Sequence, residues 1–82
     1  MKCIHYLRDN PDAIKVTVVL YDIEGQNEQA EWLLKHKSRG HYWYELNHKL
    51  EYNGHNHFTV IDSVKYLFSV ERDAVLFSLR FS

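Results

Sequence analysis

Hydrophobic and polar residues alternate along residues 13–24, AIKVTVVLYDIE, in the pattern that predicts a β-strand. One face of this strand would carry Ile14, Val16, Val18 and Leu20, and the other face is only half polar. β-branched residues are frequent here, and they favour extended structure. We therefore expect a strand in the middle of a sheet.

Residues 25–40, GQNEQAEWLLKHKSRG, predict the one helix of the chain. Acidic residues come early and basic residues late, an order that the helix dipole favours, and Gly40 fits the position just after a helix end. Trp32 lies well off the inward stripe that helical spacing predicts. That stripe consists of Ala30, Leu33, Leu34 and Lys37.

Residues 41–52, HYWYELNHKLEY, alternate again, although a helix over the same residues remains an alternative. The pair Asn53–Gly54 favours the strand, because Asn-Gly is a strong signal for a β-hairpin with a two-residue type I′ turn. Residues 55–62 then return antiparallel. That register makes three cross-strand pairs: Tyr52 with His55, Leu50 with His57, and His48 with Thr59.

A second hairpin is predicted from residues 64–71 and 74–81, because a two-residue loop between them places only apolar side chains on one face. Residues 2–8 predict a short strand. Residues 9–12, DNPD, predict a turn, since Pro presets φ and the Asn and Asp side chains bond to nearby backbone.

These elements sum to about six strands and one helix in the order ββαββββ. The predicted fold class is α+β, a strongly twisted antiparallel sheet with one packed helix, in a single compact domain of residues 1–82. A helix of a dozen residues is about 18 Å long, whereas six strands side by side span roughly 28 Å. We therefore expect the uncovered sheet face to curl into a partial barrel or to pair with another chain, with a homodimer as the expected result.

Charge and cysteine content narrow the function classes. The formal net charge is −1, so no overall basic field points to nucleic acid. Cys3 is the only cysteine, which excludes an internal disulfide and fits a reducing cytoplasm. The sequence contains no apolar run of signal-peptide or transmembrane length. We therefore expect a cytoplasmic protein that does not contact a membrane.

Three histidines, His48, His55 and His57, project from one face of the first hairpin in the predicted register. Histidine nitrogens are common zinc ligands, so a metal site is a hypothesis to test. Asp62 would lie on the opposite face, and His-x-His alone is a weak signal. We expect exposed hairpin histidines and no metal or other cofactor, with these three residues as the ligands if a metal binds.

The sequence contains no pattern that indicates catalysis. A Cys3–His5 pair is conceivable, but a small hydrophobic residue beside a surface imidazole explains it more simply. The serines sit in no nucleophile elbow, and the three glycines are isolated, which excludes a phosphate-binding loop. We therefore expect that the protein is not an enzyme.

Residues 35–44, KHKSRGHYWY, combine positive charge with aromatic rings and are called the basic–aromatic segment below. Such residues are typical of sites that bind an acidic protein surface, and also of sites that bind RNA or single-stranded DNA. The third alternative is that the segment has no binding role and is a cationic helix end followed by a core strand. Outward-facing Trp43 is the residue that the last alternative leaves unexplained. The candidate partner-binding residues are Lys35, Lys37, Arg39, Tyr42, Trp43 and Tyr44.

The predicted function is a small non-enzymatic binding module, an inhibitor or adaptor that acts by protein–protein interaction. The alternative is a small RNA or single-stranded DNA binding protein, and a histidine metal site with hydrolytic activity is a third hypothesis. In size and density only, the chain resembles the small stand-alone proteins with which phages and mobile elements bind and block host machinery. This resemblance implies an inhibitor and assigns no residue.

Overall fold

The computed structural model describes residues 1–19 and 23–82. The strands of these residues form one mixed sheet in the order β1-β3-β4-β2, in which only β1 runs parallel to its neighbour. The predicted α+β class is confirmed, whereas the six-stranded antiparallel sheet with one helix is wrong. The elements are, in chain order, β1 (Lys2–Cys3), a 3-10 helix (His5–Asp9), β2 (Ile14–Val19), α1 (Ile23–Lys35), β3 (His41–Asn53), β4 (Asn56–Phe68) and α2 (Glu71–Phe81).

One face of the sheet carries the core, and both helices pack on it. The centre of this face is β4, whose inward residues are Val64, Tyr66 and Phe68. Their neighbours across the sheet are Val18, Val16 and Ile14 of β2, and Leu46, Tyr44 and Tyr42 of β3.

The predicted inward face of β2 is confirmed for Ile14, Val16 and Val18, which belong to the core or pack against it. Leu20 lies outside the described residues, as do Tyr21 and Asp22. The expectation of a central strand is wrong, because β2 pairs only with β4 among the described strands.

The C-terminal segment is a helix, whereas a strand was predicted over residues 74–81. Ala74, Phe77 and Phe81 follow one another at helical spacing, and Ala74 and Phe77 are buried in the core. Acidic residues in the first turn and a basic residue in the last match the helix dipole. The prediction failed because every second residue from Val75 to Phe81 is also apolar, so that the helical and the strand period fit the same segment.

The helix α1 turns a different stripe toward the sheet from the one predicted. Leu33 and Gln29 are buried, whereas Leu34 is 75% exposed. Trp32 packs edge-on against Phe77 of α2, with ring centroids 5.4 Å apart. The prediction considered the sheet alone as a packing surface, and α2 adds a second surface that draws Trp32 inward.

A buried carboxylate ties α2 to the loop between α1 and β3. Asp73 Oδ1 lies 3.0 Å from His36 Nε2, and Asp73 Oδ2 accepts a hydrogen bond of 2.6 Å from Ser38 Oγ. Ser38 Oγ also accepts a hydrogen bond of 2.9 Å from the backbone N–H of Gly40. Asp73 is buried, so these contacts replace the water that its carboxylate loses on folding.

The 3-10 helix covers part of the second sheet face, where a strand over residues 2–8 was predicted. It contacts β3 and β4, and Leu7 and Leu67 are both buried. The predicted turn over residues 9–12 is confirmed from Asn10 onward, where the backbone N–H of Asp12 donates a hydrogen bond of 2.9 Å to Asn10 Oδ1, whereas Asp9 belongs to the 3-10 helix. This segment therefore closes one end of the face that a single helix could not cover.

Candidate functional site

The hairpin of β3 and β4 is longer than the rest of the sheet. Both strands have 13 residues, but β2 pairs only with residues 63–68 and β1 only with residues 41 and 42. Within the described chain, residues 48–61 therefore pair only with each other, and we call them the arm. The radius of gyration is 14.1 Å and the longest extent 48 Å, whereas a compact chain of this length has a radius of about 12 Å.

A β-bulge separates the arm from the sheet. Asn47 lies opposite Ser63, but the next residue of β3, His48, lies opposite Ile61. Asp62 is therefore an extra residue on β4. Beyond it the arm keeps a regular antiparallel register up to its tip.

The turn at the tip is Gly54–His55, one residue later than the predicted Asn53–Gly54 turn. Gly54 has φ +64° and is the first central residue, which is the pattern of a type II′ turn. The predicted hairpin is confirmed, and the helical alternative for residues 41–52 is wrong. The predicted pairing of Tyr52 with His55 is also wrong, because Tyr52 lies opposite His57.

Four large apolar side chains of the arm face solvent. Leu50 is 69% exposed, Tyr52 65%, Phe58 45% and Ile61 40%. Leu50, Tyr52 and Ile61 share the sheet face that continues from the core, and Phe58 lies on the other face. Exposed apolar residues that are grouped in this way mark interaction sites on soluble proteins.

The charged groups of the arm and of the adjoining bulge residue Asp62 largely neutralise one another. Lys49 Nζ lies 3.2 Å from a carboxylate oxygen of Glu51 and 3.5 Å from one of Asp62. The hydrogen bond to Glu51 contributes most to raising the pKa of Lys49, followed by the attraction of the two negative charges. The arm therefore presents no strong field of either sign.

The three arm histidines are not brought together. His48 lies opposite Ile61, His57 lies opposite Tyr52, and His55 is in the turn. Positions 48 and 52 are four residues apart on β3, or about 13 Å, whereas zinc requires ligand bonds of about 2 Å. Among residues 1–19 and 23–82, no group of three His, Cys, Asp or Glu side chains is placed to hold a metal ion.

The aromatic rings of the basic–aromatic segment lie on two different faces of the sheet. Tyr42 and Tyr44 lie on the face that carries the helices, and Trp43 on the opposite face, as the alternation predicted. Trp43 is half-buried there, with the ring of His5 edge-on at a centroid distance of 4.7 Å. The three rings therefore cannot stack on successive bases of one strand of nucleic acid.

The basic residues of the segment are also dispersed. Lys35 forms an ion pair with Glu31 one helical turn earlier. Lys37 and Arg39 are exposed in the loop between α1 and β3. They lie at the opposite end of β3 from the tip of the arm, so that the two candidate surfaces are separate.

The groups that could act in catalysis have other roles here. Ser38 donates its hydrogen bond to the Asp73 carboxylate and not to His36, so the two side chains do not form a Ser–His pair. Partial burial raises the pKa of the Cys3 thiol, although a hydrogen bond with Tyr42 acts in the opposite direction. A raised pKa leaves less of the reactive thiolate at neutral pH.

Two other surfaces deserve comparison with the arm. An open cleft of about 510 Å³ lies beside Trp32, His36 and Phe81, where His36 stacks on Trp32 at a centroid distance of 4.3 Å. A second apolar patch on α2 contains Leu76, 38% exposed, and Leu79, 79% exposed. The arm differs from both because its strands also offer backbone edges with which no other described strand pairs.

Comparisons of the chain with protein families, with curated proteins and with solved structures give no match. Within the described residues, no helix has the length and apolar character that crossing a membrane requires. Function is therefore inferred from the surface itself, since a fold alone does not imply one.

Sequence reasoning placed the hairpin but missed its projection from the sheet. The signal lies in residues 47–57, NHKLEYNGHNH, where Leu50 and Tyr52 are the only large apolar side chains. A hairpin with so few apolar residues has no face that a core could fully bury. The few apolar residues on it are therefore exposed.

Proposed function

We propose that this protein is a small non-enzymatic binding module, an inhibitor or adaptor, that acts by burying the arm against a protein partner. The exposure of Leu50, Tyr52, Phe58 and Ile61 is the observation that carries the proposal. In the free protein these side chains expose apolar surface to water. A partner that covers them removes this surface from water, which is favourable and stabilises the complex.

A protein surface fits the arm better than a nucleic acid does. Aromatic and aliphatic anchors supply most of the binding energy in protein interfaces, and Leu50 and Ile61 have no ring to stack on a base. Nucleic acids are held chiefly through unpaired positive charge, whereas Lys49 is shared between Glu51 and Asp62. RNA or single-stranded DNA binding is therefore the less favoured function.

The partner is expected to carry acidic groups, which would be attracted by the exposed Lys37 and Arg39. These residues lie about 40 Å from the arm tip along β3. We assign them a role in the rate of encounter, and the arm the role of holding the complex. The free thiol of Cys3 suits a reducing compartment, so we propose that the partner is cytoplasmic.

Affinity capture with matched variants tests the proposal. Tagged protein is incubated with nuclease-treated lysate of the source cell, and bound proteins are identified by mass spectrometry. The arm variant is Leu50→Ser/Phe58→Ser, and the matched control, Leu76→Ser/Leu79→Ser, changes two exposed residues of α2. We expect the arm variant to lose a partner that wild type and the control retain, with unchanged circular dichroism for all three.

Two results would contradict the proposal. Capture by the arm variant at the wild-type level would show that the arm does not hold the partner, and loss in the α2 control alone would place the site on α2. Capture from a parallel untreated lysate that is absent from the nuclease-treated lysate would favour the nucleic-acid alternative. Lys37→Glu/Arg39→Glu should retain the partner but associate more slowly.

A further inference from the structure

We propose that the arm pairs with the arm of a second copy of this chain, edge to edge along β3, around a two-fold axis at Leu50. This inference rests on the proposed function, because it names an occupant for the same arm. It would extend the hairpin into a four-stranded sheet shared by two chains.

The backbone of β3 shows which groups are available for such pairing. The Tyr42 carbonyl oxygen accepts a hydrogen bond of 2.8 Å from the backbone N–H of Ile4, on the side away from β4. The His41 carbonyl oxygen accepts one of 3.0 Å from Ser69, on the β4 side. Sides alternate along a strand, so the N–H and C=O groups of residues 48, 50 and 52 point to the outer edge. Beyond Tyr42, no described strand pairs with that edge.

The charges of the edge select among the possible two-fold registers. An axis at Leu50 places Lys49 of each chain opposite Glu51 of the other. An axis at Lys49 or at Glu51 would instead oppose like charges, and an axis at His48 would oppose Glu45 and Glu51. The edge is therefore self-complementary around Leu50.

An axis at Asn47 would also oppose unlike charges, Glu45 and Lys49. It would bring Tyr52 opposite Tyr42, however, where β1 already occupies the edge. The axis at Leu50 uses only residues 47–53, whose edge away from β4 pairs with no strand of the described chain. It forms three hydrogen-bonded residue pairs and so about six hydrogen bonds between the chains.

The side chains agree with this register. Leu50 would lie against Leu50 of the second copy, and Tyr52 against its His48, on the same sheet face as Ile61. Both copies would then contribute exposed apolar side chains to one continuous face. The dimer would double the surface offered to a partner and leave its two sheet faces free.

Disulfide trapping tests the register in full-length protein that carries Cys3→Ser to remove the native thiol. Opposed residues of a hydrogen-bonded antiparallel pair have Cα atoms about 5.5 Å apart, which a disulfide can span. We expect Leu50→Cys to form a covalent dimer under mild oxidation. Thr59→Cys is the matched control, because Thr59 lies opposite Leu50 but on β4, away from the paired edge.

Charge exchange gives an independent test by sedimentation of the purified protein. Lys49→Glu should weaken the dimer at least about tenfold, because two unlike pairs become like pairs. The double variant Lys49→Glu/Glu51→Lys restores both pairs between copies and should restore the dimer. Circular dichroism checks that each variant is folded.

A strictly monomeric wild type at about 100 µM would overturn the inference, as would efficient trapping through Thr59→Cys in place of Leu50→Cys. Failure of the double variant to dimerise would exclude the axis at Leu50. A monomer that still loses its captured partner in the arm variant leaves the proposed function standing. A dimer trapped through Leu50→Cys that captures no arm-dependent partner leaves this inference standing and removes the proposed function.

Discussion

The hydroxyl group of Tyr66 donates a hydrogen bond of 2.7 Å to Oε1 of Gln29, and both side chains are buried. The contact joins the central strand of the sheet to α1 across the core. It explains why a glutamine occupies an inward position of the helix, since a buried amide requires a partner.

Tyr66→Phe should lower the free energy of unfolding by about 1 to 3 kcal/mol, because Oε1 of Gln29 would remain buried without its donor. Urea unfolding followed by circular dichroism measures the loss. Tyr52→Phe is the matched control, since Tyr52 is exposed on the arm, and it should change the stability by less than about 0.5 kcal/mol. Equal values for the two variants would contradict the burial of this hydrogen bond.

Stability should fall in alkaline solution because burial, helped by the nearby Tyr42 and Tyr44, raises the pKa of Tyr66 to about 12. A tyrosine in the unfolded chain titrates near pH 10. Between about pH 10 and 12 the unfolded state therefore releases a proton that the folded state retains, which favours unfolding. The stability that Tyr66 contributes through its raised pKa is fully present below about pH 10 and is lost as the pH rises toward 12. Between pH 10 and 12 the free energy of unfolding should therefore fall by about 1 to 2 kcal/mol less in Tyr66→Phe than in wild type. Urea unfolding across that pH range measures the difference.

Two adjacent leucines of α1 test the orientation of the helix. Leu33 is 2% exposed in the core, whereas Leu34 is 75% exposed. Leu33→Ala should cost about 2 to 5 kcal/mol of unfolding free energy, and Leu34→Ala less than about 0.5 kcal/mol. Similar losses in urea unfolding would support the stripe predicted from the sequence, which placed both side chains inward.

The residues of β2 that face the core could be predicted because their pattern has one interpretation. Alternation over Ile14, Val16 and Val18 excludes a helical stripe. The segment of α2 has two interpretations, since Phe77 and Phe81 satisfy both periods. Contact with α1 decides between them, because Trp32 packs against both rings. That contact is made between residues distant in sequence, so local patterns do not contain it.

In the arm, too, the features set by neighbouring residues could be predicted from the sequence, and those set by residues distant in sequence could not. Asn53–Gly54 located the turn to within one residue, because glycine favours a turn wherever a positive φ is needed. The bulge at Asp62 sets the final register, and the alternation of apolar residues does not reveal an added residue on one strand. The three candidate histidines are kept apart by a different change, because the turn at Gly54–His55, one residue later than predicted, moves His57 from opposite Leu50 to opposite Tyr52.

Gly54 is the residue of the described arm that has a positive φ. Its φ is +64°, and an added Cβ would meet nothing within 4 Å, so the cost of a substitution comes from the backbone alone. Gly54→Val should cost at least about 1 kcal/mol, whereas Gly54→Asn should cost less because asparagine adopts positive φ more readily. Urea unfolding compares the two variants. Identical stability of wild type and Gly54→Val would contradict the turn.

Gly40, in the loop between α1 and β3, faces the carboxylate of Asp73 in α2. Substitutions at these two residues test the contact between that loop and α2. A Cβ at Gly40 would overlap Asp73 Oδ2 and lie 2.9 Å from a methyl carbon of Val70. Gly40→Ala should therefore cost about 1 to 3 kcal/mol, the usual range for inserting an atom into a packed site.

A double-mutant cycle separates the overlap at Asp73 from a general loss of flexibility at Gly40. Asp73→Ala alone should cost about 1 to 3 kcal/mol, since Ser38 and His36 lose their buried acceptor. In that background the carboxylate oxygen nearest the added Cβ is gone, so Gly40→Ala should cost at least about 0.5 kcal/mol less than in wild type. Substitutions at residues that share a contact are expected to have coupled effects on the free energy of unfolding. Strictly additive losses in urea unfolding would therefore contradict the overlap between Asp73 and a Cβ at position 40.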